Sequence, residues 1–106
     1  MALDSLASRD RRVALFEAYG PLLTQHQREV LDLHLARDWS LSEIARVTET
    51  SRSAVHDLIR RSLQAMEEYE RRLRLVAERE RRRAELADLA QQLAALKRRV
   101  DALEPS

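Results

Sequence analysis

At 106 residues the chain has room for one small domain and an appendage, but not for two conventional domains. It has no Cys, one Gly and two Pro, which excludes disulfides and thiolate metal sites and leaves little to interrupt helices. The net charge of +1 hides an asymmetry, because residues 1–69 hold nine Arg against eleven Asp or Glu, and residues 70–106 hold ten Lys or Arg against seven.

Aromatic residues make up 4% of the chain, and no run alternates apolar with polar residues over strand length, so the predicted fold is all-α. Leu6, Val13, Leu15, Phe16 and Tyr19 recur at helical spacing. Gly20-Pro21 then supplies a stop. Thr24 with Gln27 forms a capping box, in which each side chain satisfies a free amide of the other residue. That box opens a second helix through Val30, Leu31, Leu33, His34 and Leu35 to about Arg37. Trp39 follows in a short connection and is expected to plug the core between the second and third helices.

Ser40 with Glu43 forms a second capping box, opening a helix of about eight residues that carries Leu41, Ile44, Ala45 and Val47. The polar turn Thr48-Glu49-Thr50 leads to Ser51, a cap for a longer helix bearing Val55, Leu58, Ile59, Leu63 and Met66. A short helix, a tight turn and a longer helix is helix-turn-helix order. From Glu67 onward no helix breaker occurs before Pro105, so one long helix is predicted, with a bend near Tyr69. Residues 1–69 are therefore taken as the helix-turn-helix domain and 70–106 as a helical tail.

Within the tail, Leu86, Leu89, Leu93, Leu96, Val100 and Leu103 are spaced three, four, three, four, three, the a/d seam of nearly three heptads. Such a seam needs a partner helix, and a homodimer, or packing back on the chain's own helices, is expected ahead of a foreign partner. A parallel pair gains Arg99 with Glu104, whereas Glu85 and Gln92 face Ala90 and Lys97; orientation stays open. The preceding segment, Ala77–Glu85, reads as a solvated helical bridge of Glu and Arg, with a basic docking surface for acidic protein or RNA as the alternative.

If the module reads DNA, the first turns of the fourth helix enter the major groove. Ser51, Arg52, Ser53 and His56 then face the duplex, and Arg60 and Arg61 contact the flanking backbone. Asp57 lies among them, and its carboxylate opposes phosphate. The three histidines, His26, His34 and His56, fall on different helices without metal-ligand spacing, so no metal, cofactor or catalytic residue is expected. A single Gly cannot build a phosphate-binding loop, and no nucleophile stands beside an identifiable base.

The stretch Leu23 to Leu73, from LTQHQREVLDLHLARDWSLSEIA through SRSAV, resembles region four of bacterial sigma factors. The chain is too short to be a complete sigma factor. Its continuation, AVHDLIRRSLQAMEEYERRL followed by a helical tail, is similar to the YlxM-like proteins. That resemblance implies a sigma region-four-like helix-turn-helix bundle with a long C-terminal helix. It also implies a cytoplasmic bacterial protein that serves the signal recognition particle pathway as a noncatalytic accessory or regulatory factor. Its partner would be a protein or RNA component of that particle; the alternative is a dimeric DNA-binding transcriptional regulator. Where the family favours Gly or Asn in the turn, this chain has Glu49, which predicts a strained or reshaped turn. No apolar stretch approaches the roughly 18–20 residues that a membrane span needs, and MALDSLASRD lacks a signal-peptide layout.

Overall fold

The computed structural model describes residues 8–104 and contains five α-helices, with no strand among those residues. Leu6, assigned above to the first helix, and Pro105 lie outside the described residues. The first helix, α1 (Arg9–Tyr19), is capped by the Ser8 hydroxyl, which accepts from the Arg11 amide. Its buried ridge is Arg12, Leu15 and Tyr19, with Val13 and Phe16 half-buried beside it. Gly20-Pro21-Leu22 forms a 3-10 turn.

Both predicted capping boxes are formed. Thr24 caps α2 (Gln25–Leu31) reciprocally with Gln27, and Ser40 caps α3 (Leu41–Val47) reciprocally with Glu43. The Ser40 contacts also hold the Glu43 carboxyl below its ordinary pKa, chiefly through the Ser40 amide. Beyond Leu31 the second helix widens into a π turn, Asp32–Ala36. This widening has no signature in residue spacing. Trp39 is half-buried against the core as predicted, and its amide donates to the Leu33 carbonyl at 2.9 Å.

Ser51 caps α4 (Arg52–Leu73), which buries Val55, Ile59, Leu63 and Met66 against Leu15, Tyr19, Val30, Leu31, Leu35 and Ile44. These positions recur every three or four residues, so one face of α4 closes the core and leaves the opposite face outside. The predicted bend near Tyr69 is instead a break at Arg74, which adopts the left-handed conformation with φ 56°. α5 (Leu75–Leu103) begins immediately after it. The chain divides into two compact units, one ending at Val76 and the other beginning at Ala77. Among the described residues, no helix is long and apolar enough to cross a membrane.

The turn between α3 and α4 keeps regular geometry despite its departure from the family pattern. The Thr50 amide donates to the Ala45 carbonyl and the Glu49 amide to the Arg46 carbonyl. These two bonds close a helix end through one left-handed residue. That residue is Glu49, at φ 55°, so the expected strain is present and the expected reshaping is not. Because a left-handed L-residue costs more than Gly there, Glu49→Gly is expected to raise stability by about 1 kcal/mol. Urea unfolding checks this, and a lower midpoint for the variant would contradict it.

Candidate nucleic-acid interface

The outward face of the helix-turn-helix is set by how α3 and α4 bury their apolar sides. Ile44 and Ala45 of α3 and Val55 and Ile59 of α4 point inward. This leaves the first turns of α4, with the turn before it, on the surface. Ser51, Arg52 and Ser53 are exposed, and His56 is half-buried one turn later. The Ser51 hydroxyl accepts from the Ala54 amide at 3.0 Å, so its side chain is committed to capping. Arg52 and Ser53 remain the outermost side chains of that turn.

Six residues were singled out on α4 and its cap, and the structure places them on two flanks of one helix. Arg60 and Arg61 converge on Asp57, at 2.6 Å and 2.9 Å from its two oxygens. Arg60 also donates to Gln64. The Arg60 hydrogen bond leads the causes that keep the Asp57 carboxyl below its ordinary pKa, with Arg61 and His56 adding to it. The carboxylate therefore stays ionised through the neutral range and holds both guanidiniums along the helix.

Arg52 is in a different state. Neither it nor Arg46, on the other side of the turn, forms an ion pair among the described residues. These two arginines bracket the turn, on the last turn of α3 and the first turn of α4, with the exposed Glu49 between them and Glu43 three residues before Arg46. Extended over the whole compact head, the charge balance shifts from the sequence reading. With the boundary after Val76 the head gains Arg71, Arg72, Arg74 and Glu70, giving twelve Arg against twelve Asp or Glu. It is neutral, not net acidic.

Spacing along the chain did not reveal the neighbours of Arg61. This residue edges a shallow groove with His26 of α2 and with Thr48 and Thr50 of the turn, over Ala54 and Leu58. His26 sits 35 positions from Arg61 in the chain, so only the packing of α2 against α4 brings them together. The other two histidines have ordinary surroundings: His34 Nδ1 lies 3.2 Å from the Trp39 carbonyl, and His56 stands beside Asp57 on α4.

Comparison with known proteins fits this architecture. The profile of the family UPF0122, described as "Putative helix-turn-helix protein, YlxM / p13 like", matches residues 6–104. The chain is similar to UPF0122 protein STH1464 of Symbiobacterium thermophilum, at 50% identity over 84 residues, 78% of each chain. It is also similar to UPF0122 protein SERP0802 of Staphylococcus epidermidis, at 45% identity over 92 residues, 87% of this chain and 83% of that one. UPF0122 protein ABC2295 of Shouchella clausii is 45% identical over 80 residues, 76% and 73% of the two chains.

Proposed function

Because the chain belongs to the UPF0122 family of YlxM / p13-like proteins, we propose that it is a noncatalytic regulatory protein that binds DNA through the start of α4 and self-associates through the apolar seam of α5. The observation that carries the DNA-binding part is the placement of Arg52. Its guanidinium is exposed and without an ion pair on the first turn of α4, next to Ser53, with Arg46 across the turn. A helix start presents free amides to phosphate, and an unpaired Arg there adds a full charge and two parallel donors for phosphate or a guanine edge. Arg60, one face away from the core, supplies a flanking backbone contact when it exchanges Asp57 for phosphate.

This reading predicts a salt-dependent interaction, because each neutralised phosphate releases counterion. Replacing Arg52 and Arg60 together by Ala is expected to weaken low-salt duplex binding by about tenfold or more and to lower the slope of log affinity against log salt by about two. Fluorescence anisotropy over a salt series measures both quantities. Unchanged affinity and slope in the double variant would end the DNA reading.

One observation favours a second reading, contact with a protein or RNA component of the signal recognition particle. Asp57 engages both Arg60 and Arg61, leaving that group a single net positive charge, and the head as a whole carries no net charge, so its attraction for phosphate is weak and local. Titrating the same labelled protein with duplex DNA and with particle RNA separates the two. Preference for the RNA that survives the Arg52→Ala, Arg60→Ala variant supports the second reading over the first.

A further inference from the structure

Beyond Val76, which is buried in the core, the large apolar residues of the α5 tail lie along one stripe that nothing among the described residues covers. Leu86, Leu89, Leu93, Leu96, Val100 and Leu103 are between 46% and 82% exposed, on a helix whose other residues are almost all polar or Ala. Six large apolar side chains on one face gain by being covered, and knobs-into-holes packing against a like helix is the arrangement this spacing fits. The self-association proposed above leaves the direction of the partner undetermined, and the residues just ahead of the stripe bear on it.

Continued one heptad toward the start of α5, the a and d positions are occupied by Arg79 and Arg82. In a parallel, in-register pair each of these meets its own counterpart where the seam would continue, so two successive layers bring like charges together. The parallel pair also gains flanking contacts of Arg99 with Glu104 and of Glu78 with Arg83 of the other copy. Such contacts are exposed and screened, and Glu78 is already paired with Arg81 in its own helix. Opposed charge within the seam outweighs attraction along its rim.

Reversing the partner removes the conflict. With the two-fold axis passing between Ala94 and Ala95, Leu86 lies opposite Leu103, Leu89 opposite Val100 and Leu93 opposite Leu96, and symmetry repeats each layer. All six apolar residues are then used, and Val100 at an a position meets a Leu at d. Arg82 falls one turn beyond the last layer, against the C-terminal end of the other copy's helix, where unsatisfied carbonyls concentrate negative potential. Arg83, at the adjoining e position, stands across from Glu104 of that copy, a rim contact no weaker than those of the parallel pair.

We infer that the occupant of the α5 stripe is a second copy of this chain running antiparallel, in the register that sets Leu89 against Val100. The inference rests on the self-association reading, and the experiment keeps the two apart. The natural chain has no Cys, so introduced thiols report without background. Sedimentation of the full chain is expected to give a dimer. Leu89→Cys and Val100→Cys are then oxidised separately and as an equimolar mixture. The mixture is expected to form disulfide-linked dimer at least fivefold more than either variant alone. Leu86→Cys mixed with Leu103→Cys repeats the test at the outer layer, in case a thiol at the inner layer weakens pairing. A monomer or a trimer in sedimentation overturns self-association of this kind. A dimer in which Leu89→Cys alone cross-links as readily as the mixture keeps self-association and overturns the antiparallel register.

Discussion

Glu70→Ala is expected to destabilise the folded head by about 2–4 kcal/mol, a large share of the roughly 5–15 kcal/mol typical of a small domain. Glu70 is 7% exposed. One oxygen accepts both the Tyr19 hydroxyl at 2.6 Å and the Val76 amide at 2.9 Å. The Tyr19 hydroxyl in turn accepts from the Leu75 amide at 3.0 Å. The left-handed Arg74 turns the chain so that the first amides of α5, which have no partner within their own helix, meet these two oxygens. Removing the carboxylate strands a buried hydroxyl and a buried amide together, and unsatisfied buried donors cost more than a lost exchange of hydrogen bonds. Tyr19→Phe keeps the ring and its packing near Tyr69 and is expected to cost less, about 1–2 kcal/mol. Urea unfolding followed by circular dichroism orders the three proteins. A Glu70→Ala midpoint indistinguishable from that of the natural chain would contradict the role assigned to this clasp.

The second large effect is a gain. Asp57→Ala is expected to tighten binding to duplex DNA of arbitrary sequence severalfold at low salt and to steepen the salt dependence by up to about two. The substitution removes one negative charge from the outer face of α4 and releases Arg60 and Arg61 from its two oxygens. Because Asp57 is half-buried and its ion pairs stay within the outer face of α4, stability is expected to change by no more than about 1 kcal/mol. The same logic fixes the pH dependence. The carboxyl is held below its ordinary pKa, so the restraint on both arginines persists as pH falls through the usual carboxylate range and is released only when pH passes below the lowered value. Anisotropy with a random-sequence duplex measures the effect. Weaker binding by Asp57→Ala would mean that the carboxylate contributes to recognition itself.

The fold was legible in the sequence wherever a helix is specified by its own neighbours. Thr24 with Gln27, Ser40 with Glu43, and Ser51 each mark a helix start within four residues, and each is found capping as its spacing implies. Glu49 was legible as a left-handed residue only through the family resemblance, which favours Gly or Asn at that place in the turn. The elements that were missed depend on partners far along the chain. Arg74 is not a residue type that announces a helix break; the break is held by Tyr19 and Glu70, and Tyr19 is 56 positions from the Leu75 amide it satisfies. Arg12 on the buried ridge of α1 and the π turn after Leu31 are likewise products of packing.

The candidate interface divides in the same way. Arg52 and Ser53 at the start of α4 followed from the order of elements, since the residue after a cap must be on the first turn. That Asp57 engages both Arg60 and Arg61 at spacings of three and four was available from helical geometry. From the sequence, Asp57 reads as repulsive to phosphate unless an adjacent Arg offsets it, and the structure supplies two such arginines. The companionship of His26 and Arg61 had no local signal, because α2 reaches α4 only through the shared core of Val30, Val55 and Leu58.

The central claim, that the start of α4 is a nucleic-acid-reading surface, is tested most directly by amide chemical-shift mapping of the intact chain against a short DNA duplex at low salt. Shifts are expected to concentrate on Arg46 through Arg61 and to fade as salt is raised. Shifts confined to α5, or none at all with duplex in excess, would contradict it.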